Sequence, residues 1–356
     1  MALKQFNVNE DVVTTEITVT DGFFDGGKGI VAGTSLTTSS LSTDQKKYYY
    51  NLQFNSKDHL SVTYGHIGGS GSAEQSTTVE GTTQAVYKSI YNFIEPTTSN
   101  IRDQVGIVVN SVTQSDAYFV VAERLQMKDR LNPGTWTIKL SGSISDGTKS
   151  GGRTNKSTGS AIYLTDDSKT TDPITPGSPF GEVYQIVSGS AGSKVGSTVY
   201  GKFYPDAGLF VLSGNTLSSS LPGIHGFKTS GSAHGMKAGN GFAQDHRVNA
   251  DADNANKIRT ALQKGEVTLR SEEKQYIYDY FCRAKASEFN YTNNATFWSG
   301  SDYTIRHSDM VTNPQTYISE VGLYDTQNNL VAVGRLSSPI NKNFSSEAVV
   351  KVRLTY

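Results

Sequence analysis

The chain has 356 residues, of which 32 are Lys or Arg and 33 are Asp or Glu, so its formal net charge is −1. This balance excludes a global electrostatic field that would attract nucleic acid or an anionic membrane. The length suffices for one large domain or for two to three smaller ones. Hydrophobic residues make up 36% of the chain and 35 residues are Gly, which favours β-structure with much exposed loop over a helical bundle.

Cys282 is the only cysteine, so the fold cannot depend on an intrachain disulfide. We expect it to be a buried, inert thiol. The N-terminal "MALKQFNVNEDVV" lacks the apolar run of a signal peptide, and no run of about 18 apolar residues occurs in the chain. We therefore expect a soluble chain that is not exported and that assembles in a reducing cytoplasm.

The N-terminal third reads as strands followed by one helix. Alternation in "VVTTEITVT" predicts a first strand, and Tyr48–Phe54 and Leu60–Tyr64 predict two more before a glycine-rich exit. In "TTQAVYKSIYNFIEP" the apolar residues recur at helical spacing. Thr82 or Thr83 is the expected N-cap of this helix, and Pro96 is expected to end it.

The middle of the chain alternates between dense strands and polar segments. In "KDRLNPGTWTIKLSG", Asn132-Pro133-Gly134 predicts a tight turn before a strand at Thr135–Leu140. A polar, glycine-rich stretch then predicts a long surface loop or a thin β-arm. Strands resume on both sides of the turn Pro205–Gly208, and a second long loop is expected before residue 254.

Two helices are predicted late in the chain. "NANKIRTALQKG" places Ile258, Ala261 and Leu262 on one face, and Gly265 is expected at the C′ position. "SEEKQYIYDYFCRAKASEF" predicts a second helix with Ser271 as N-cap. Acidic residues in the first turn and an apolar stripe at Ile277, Phe281 and Ala284 favour this helix.

The C-terminal region predicts a β-hairpin and a last strand. Two β-prone runs, Tyr317–Tyr324 and Leu330–Leu336, flank a turn rich in Asp and Asn. A break in alternation at Glu320-Val321 admits a bulge. Apolar residues of the two strands can bury one face of the hairpin: Ile318, Val321, Leu323, Leu330, Ala332 and Leu336. The strand in "EAVVKVRLTY" is expected to pair within a sheet.

These elements predict a β-rich α+β fold with an antiparallel sheet core, a few helices and long loop-rich insertions. We expect three regions. Residues 1–142 form an N-terminal β-rich domain with one helix, residues 143–250 form a loop-rich β insertion region, and residues 251–356 add the C-terminal helices, the hairpin and the last strand to the core.

No motif in the chain carries recognisable chemistry. "GHIGGSGS" lacks the Lys-Ser/Thr of a phosphate-binding loop, and His234 and His246 have no cysteine or His-Glu-x-x-His partner. "DADNANK" lacks the glycine and distal glutamate of a calcium loop, so helix N-capping is the favoured interpretation. No Gly-x-Ser-x-Gly elbow occurs. We therefore predict no catalytic residues, no cofactor and no metal.

Several segments taken together show a resemblance. "LSVTYGHIGG", "AYFVVAERLQMKDRLNPGTWTIKLSG", "YGKFYPDAGLFVLSG", "YFCRAKASEFNYTNNATF" and "PQTYISEVGLYDTQNNLVAVGRLSSPI" occur in an order that resembles virion structural proteins of large contractile-tailed bacteriophages. These proteins are grouped with the baseplate wedge subunits of T-even-like phages. The resemblance covers most of the chain apart from the two polar insertions.

The resemblance implies a structural role without enzymatic activity. It implies association with other tail or baseplate proteins and with further copies of the chain, as a dimer or a multi-copy assembly. The charge balance and the lack of a long apolar run predict no binding of nucleic acid or membrane. The implied location is the virion tail baseplate, after synthesis in the host cytoplasm. The motif positions that it marks as fold-determining are Arg130, Pro133, Gly134, Trp136, Tyr204, Pro205, Gly208, Phe289, Tyr291, Gly322 and Leu323.

Other functions fit the same sequence. A tail-fibre attachment or receptor-binding module would use its tyrosines to contact glycans, and "SEVGLYDTQNNLVAVGRL" resembles a hairpin of tail-fibre N-terminal domains. A neck or other virion structural protein is a further alternative. A glycan hydrolase would require two carboxylates about 5–10 Å apart in a cleft.

Overall fold

The computed structural model describes residues 4–46, 48–69, 82–94, 106–141, 161–174, 181–214, 216–217, 254–291, 295–302 and 304–356. The chain divides into two compact units. The terminal unit combines Met1–Thr18 with Lys274–Tyr356, and the large unit is Val19–Glu273. These boundaries lie at other positions than the divisions after residues 142 and 250 that the sequence suggested.

The elements confirm a β-rich α+β fold with large antiparallel sheets. Among the described residues, the α-helices are α1 (Val8–Asp11), α2 (Thr43–Lys46), α3 (Thr82–Ile94), α4 (Asn254–Gln263) and α5 (Asp309–Thr312). The strands are β1 (Val12–Gly22), β2 (Ile30–Ala32), β3 (Thr37–Thr38), β4 (Tyr49–Phe54), β5 (Lys57–His66), β6 (Val108–Val109), β7 (Val112–Thr113), β8 (Asp116–Ala122), β9 (Arg130–Leu131), β10 (Thr137–Leu140), β11 (Ile162–Asp166), β12 (Tyr184–Ser190), β13 (Ser193–Tyr204), β14 (Leu209–Ser213), β15 (Glu266–Thr268), β16 (Arg270–Ala284), β17 (Trp298–Ser299), β18 (Thr304–Ile305), β19 (Thr316–Tyr324), β20 (Leu330–Lys342) and β21 (Ala348–Thr355).

The large unit is built on an eleven-stranded sheet in the order β2-β15-β10-β11-β12-β13-β14-β8-β5-β4-β3. Successive side chains of a strand point to opposite faces, so Phe210 joins one buried cluster while Leu209 and Val211 join another. Helix α3 contributes Tyr87 to the cluster with Leu209, and α4 contributes Ile258 to the cluster with Phe210. Each face of the sheet therefore has its own apolar core.

Helices α3 and α4 of the large unit confirm the helical spacing in their sequences. Helix α3 already includes Thr82 and Thr83 within its bounds, and Pro96 lies outside the described residues. Helix α4 ends before Gly265, but this glycine is needed for a different reason than the expected helix cap. A Cβ added there would lie 1.7 Å from the Lys139 carbonyl oxygen, so the close approach of neighbouring strands requires glycine.

The prediction of a helix that begins after Ser271 is wrong, because residues 270–284 form the fifteen-residue strand β16. Its residues pair with the last strand, β21, from Ile277 opposite Thr355 to Ala284 opposite Ala348. The aromatic rings of Tyr278 and Tyr280 stack at 6.4 Å on one face, which is the i, i+2 relation of a strand. Ladder pairing with a distant segment thus overrides the local helix signals.

The predicted C-terminal hairpin is present as β19 and β20, and the register breaks between Ile318 and Glu320, next to the expected bulge. In its turn, Asp325 Oδ1 accepts hydrogen bonds from the backbone nitrogens of Gln327 and Asn329, both at 2.8 Å. Of the apolar residues expected to bury one face, Leu323 is buried and the others stay partly or fully exposed. The last strand pairs with β16, as expected.

Two hairpin turns in the large unit hold non-glycine residues in the left-handed region. Asn55 and Ser56 have φ values of 51° and 62°, as a two-residue turn between twisted strands requires. We expect Ser56→Gly to raise the free energy of unfolding by about 0.5–1 kcal/mol, because glycine adopts this conformation without steric cost. Urea denaturation measures the change. Ser56→Ala keeps the steric cost and is the matched control, so equal stabilisation by both variants would contradict the explanation.

In the terminal unit, the Asp279 carboxylate accepts hydrogen bonds from Arg353 Nε at 2.8 Å and Nη2 at 3.0 Å, and Lys351 Nζ lies 2.7 Å away. Hydrogen bonds from Arg353 and then from Lys351 hold the pKa of Asp279 well below its usual value. The resulting stabilisation is complete above the unfolded-state pKa and is lost as the pH falls towards the folded-state pKa.

We therefore expect Asp279→Asn to destabilise the chain at neutral pH and to have a shrinking effect between about pH 5 and pH 2. Unfolding midpoints of wild type and variant across this range measure the difference. The exposed Asp302 supplies the control variant Asp302→Asn. A stability difference between wild type and Asp279→Asn that stays constant with pH would show that the ion pairs of Asp279 contribute nothing to stability.

Candidate functional site

Arg130 lies at the centre of an ion-pair cluster in the large unit. Its guanidinium contacts Glu272, Glu182 at 2.7 Å and Asp206 at 3.9 Å, and the Tyr184 hydroxyl donates to the same Glu182 oxygen at 3.1 Å. Burial lowers the pKa of Arg130, but the hydrogen bonds to Glu182 and Glu272 outweigh it and raise the pKa. The cluster therefore keeps Arg130 charged and links four segments of the chain.

Gly134 forms the predicted turn with Pro133. Its φ is 73°, and its backbone nitrogen donates to both oxygens of the buried Asp166 at 2.9 and 2.8 Å. Burial raises the pKa of Asp166, against the hydrogen bonds from Gly134 and Ser168, which lower it. A Cβ at Gly192 would lie 2.8 Å from the Gly134 carbonyl oxygen. Two loops thus meet here at backbone distance, which explains both glycines.

Trp136 belongs to the core of the large unit. Its ring lies 5.2 Å from that of Phe203 and 4.8 Å from that of Phe210. Tyr204 is buried on the other face of the sheet. Such aromatic packing is a source of stability and not of chemistry.

The turn that follows Tyr204 is also structural. The Pro205 carbonyl oxygen accepts hydrogen bonds from Gly208 and Leu131, both at 3.1 Å. Gly208 has a φ of 61°, and a Cβ there would lie 2.5 Å from Met127 Sδ. The motif residues of the large unit therefore lie in tight turns, an ion-pair cluster and the core.

The glycine-rich segment that begins at Gly65 is described as far as Gly69. A Cβ at Gly65 would lie 2.9 Å from Tyr87 Cα, so this glycine lets helix α3 approach the sheet. The Tyr87 hydroxyl accepts from the Ile107 nitrogen at 2.8 Å and donates to the Gln114 carbonyl oxygen, and burial raises the pKa of Tyr87 to about 12. Packing explains this part of the segment without a phosphate.

The motif residues of the terminal unit divide into two groups. Leu323 is buried, and at Gly322 a Cβ would lie 3.0 Å from the Tyr324 ring, so both belong to the hairpin packing. Phe289 and Tyr291 instead expose 42% and 61% of their surface. Phe289 also has a φ of 54°, a conformation that costs an aromatic residue free energy unless its surroundings impose it.

A buried lysine supplies that constraint. Lys342 Nζ is fully buried and donates to three oxygens: Asn290 Oδ1 at 2.8 Å, the Asn343 carbonyl at 2.8 Å and the Ala286 carbonyl at 3.0 Å. Asn290 is also fully buried, and its Nδ2 donates to the Ala286 carbonyl at 2.7 Å. Each ammonium proton thus has an acceptor. We call this pair the Lys342–Asn290 anchor. Nothing in the local sequence indicates it, since a lysine is normally exposed.

Four exposed aromatic residues lie next to groups of the anchor. Phe289 and Tyr291 flank Asn290, and Phe344 follows Asn343. The Thr316 hydroxyl donates to the Phe289 carbonyl, and Thr316 pairs with Lys342 in the β19–β20 ladder. Tyr317 follows Thr316 along the strand, and its side chain points to the opposite face of the hairpin. We call Phe289, Tyr291, Tyr317 and Phe344 the aromatic rim. Sequence reasoning marked the first two as fold-determining and missed the other two.

The described residues contain no group of three or more His, Cys, Asp or Glu side chains that could hold a metal ion. His234, His246 and Asp251 lie outside those residues. Burial, and secondarily Asp11, raises the pKa of the half-buried Cys282 thiol, which disfavours the thiolate that a nucleophile requires. The half-buried Cys282 therefore lacks the environment of an activated thiolate.

Comparison with known proteins adds no relative. No family model matches the chain, and neither a curated protein nor a solved structure does so.

The anchor can be tested with Lys342→Met, which keeps the side-chain volume and removes the donors. We expect a loss of about 2–4 kcal/mol in the free energy of unfolding, because buried oxygens of Asn290 and Asn343 lose their donor. Chemical denaturation measures it. The exposed Lys285 supplies the control, and Lys285→Met should change stability by less than about 0.5 kcal/mol. Equal losses of unfolding free energy in the two variants would show that the Lys342–Asn290 anchor does not stabilise the chain.

Proposed function

We propose that this chain is a non-enzymatic structural subunit of a contractile phage tail, most specifically a baseplate wedge component. The observation that carries the proposal is the composition of the terminal unit. Among its described residues, the buried apolar side chains are Ala284, Phe297, Leu323 and Ala348, whereas the whole aromatic rim is exposed. A unit with so small an apolar core and so much exposed aromatic surface is suited to stability through association.

The motif segments that resemble virion proteins support the same proposal. Their residues in the large unit form turns, ion pairs and core, as the Gly134–Asp166 contact and the Trp136 ring cluster illustrate. A sheet with a core on each face is a rigid scaffold. The partners that we propose are other tail and baseplate proteins and further copies of this chain, with no nucleic acid and no membrane. In the described part of the chain no helix is long and apolar enough to cross a bilayer.

A second candidate function is a tail-fibre attachment or receptor-binding module. Tyr291 and Tyr317 favour it, because they expose 61% and 63% of their surface, and a tyrosine combines an apolar face with a hydroxyl that can contact a sugar. Tyr291 directly follows Asn290, whose side chain is held by Lys342 and by the Ala286 carbonyl, and a fixed backbone lowers the entropy lost on binding a glycan or a protein.

Cryo-electron microscopy of the virion that carries this chain tests both functions. We expect density for the eleven-stranded sheet in the baseplate ring around the tail axis. Density at a distal fibre tip would favour the receptor-binding module instead. Peptide mass spectrometry of purified virions shows whether the chain is present in the particle. Its absence would overturn the structural role.

A further inference from the structure

We infer that the outer edge of strand β21 binds an extended, acidic segment of another protein as an added β-strand. This inference rests on the structural role proposed above, because it assigns one contact with a neighbouring tail protein to a particular surface. Three observations carry it: the outward-pointing backbone groups of β21, the length and regularity of the strand, and the charges along it.

The backbone groups of β21 point alternately towards β16 and away from it. Strand β21 ends the order β1-β16-β21, and among the described residues it pairs with β16 alone. The backbones of Tyr276 and Tyr356 exchange hydrogen bonds at 3.1 and 3.0 Å. In an antiparallel ladder, such pairs alternate with pairs whose N–H and C=O groups point outwards. The outward-pointing residues of β21, which we call the β21 edge, are Val349, Lys351, Arg353 and Thr355.

The β21 edge specifies the kind of occupant. Its N–H donors and C=O acceptors recur at strand spacing, so the partner that satisfies all of them together is the backbone of another strand. In recognition by strand addition, main-chain hydrogen bonds supply affinity and alternate side chains supply specificity. The occupant is therefore an extended peptide segment.

The length and regularity of β21 distinguish it from the edges of the large sheet. The eleven-stranded sheet ends in β2 with three residues and in β3 with two residues. Such short edge strands offer few groups to a partner. Strand β21 has eight residues, contains no proline and pairs with β16 without a register shift. The terminal unit thus presents an edge that is long enough to hold an added strand.

The charge of the β21 edge favours an acidic partner. The side chains of Lys351 and Arg353 remain 44% and 55% exposed, although both contact Asp279. Two cations around one carboxylate leave an excess of one positive charge. Residues directly opposite each other in a ladder interact most strongly, so an acidic residue opposite Lys351 or Arg353 is favourable. Pairing of two β21 strands about their centres would instead bring these cations together, which disfavours a second copy.

The other face of β21 favours apolar residues in the partner. Val350, Val352 and Leu354 are half-buried. A Cβ added at Gly334 would lie 3.6 Å from Val352 Cγ2, so the β19–β20 hairpin packs on this face. Since β-branched residues pack well beside such neighbours, the segment that fits β21 alternates acidic with β-branched residues. The peptide TVEVEVT has this pattern and places its two glutamates opposite Lys351 and Arg353.

The test measures binding of fluorescein-labelled TVEVEVT to the purified full chain by fluorescence anisotropy. We expect a dissociation constant below about 100 μM that increases with salt. The reversed-charge peptide TVKVKVT should bind at least about tenfold more weakly. Lys351→Glu should bind TVKVKVT more tightly than TVEVEVT. Lys285→Glu changes an exposed cation outside β21 and is the matched control, which should keep the wild-type preference.

Methylated peptides test the backbone contacts with the wild-type chain. N-methylation of both glutamates removes donors that point to β21, so it should weaken binding at least about 30-fold. N-methylation of the first and last valines, whose N–H groups point away from β21, should change the dissociation constant by less than about threefold. This comparison keeps the test decisive if circular dichroism shows that Lys351→Glu does not fold.

Hydrogen exchange locates the bound peptide. Exchange should slow in fragments that cover Ala348–Thr355 and stay unchanged in β1 at the other end of the sheet. Protection of β1 instead of β21 would overturn the inference. So would equal weakening by the two methylation patterns, or no binding of TVEVEVT up to about 1 mM.

The outcome is distinguishable from that of the proposed function. A chain that is present in the virion but binds no acidic strand would overturn the edge site and leave the structural role standing. A chain that binds the peptide at β21 but is absent from the virion would do the reverse. In the virion map, a strand of a neighbouring protein is expected beside β21, and a second copy of this chain in that place would overturn the inference.

Discussion

Hydrogen-bonded pairing between segments far apart in the chain is the constraint on which both units depend. In the large unit, Ile30 of β2 pairs with Thr268 of β15. In the terminal unit, Ile277 of β16 pairs with Thr355 of β21. Buried backbone groups must find partners, and in a β-rich chain these partners come from other strands. The ladders therefore decide which side chains become core, and the tight turns and glycines serve to let them form.

The two units use their polar residues differently. In the large unit, buried acids such as Asp166 accept backbone hydrogen bonds inside a well-filled core, so polar groups complete a packing that apolar side chains already stabilise. In the terminal unit, where few apolar side chains are buried, the anchor of Lys342 and Asn290 and the ion pairs of Asp279 hold the structure. Polar contacts specify a geometry well but add little net stability. This contrast supports the proposal that association stabilises the terminal unit.

The same anchor relates rigidity to function. A lysine that gives up water for three uncharged oxygens is costly to bury. In return its hydrogen bonds fix Asn290 and the Asn343 carbonyl. Both residues are chain neighbours of exposed aromatic residues. The structural role that we propose would benefit from such a fixed backbone, because each contact would be repeated in many copies and a preformed shape lowers the entropy lost each time.

The sequence by itself determined the β-rich fold class, helices α3 and α4, the turns at Gly134 and Pro205–Gly208, and the C-terminal hairpin. These features depend on local signals: periodicity, turn residues and caps. Only the tertiary structure decided that residues 270–284 form a strand, that Gly265 is required by Lys139, and that Lys342 is buried against Asn290. Each of these depends on a partner far away in the chain. Local propensity contributes a few tenths of a kcal/mol per residue, whereas ladder pairing and burial contribute more, so distant contacts decide where the two disagree.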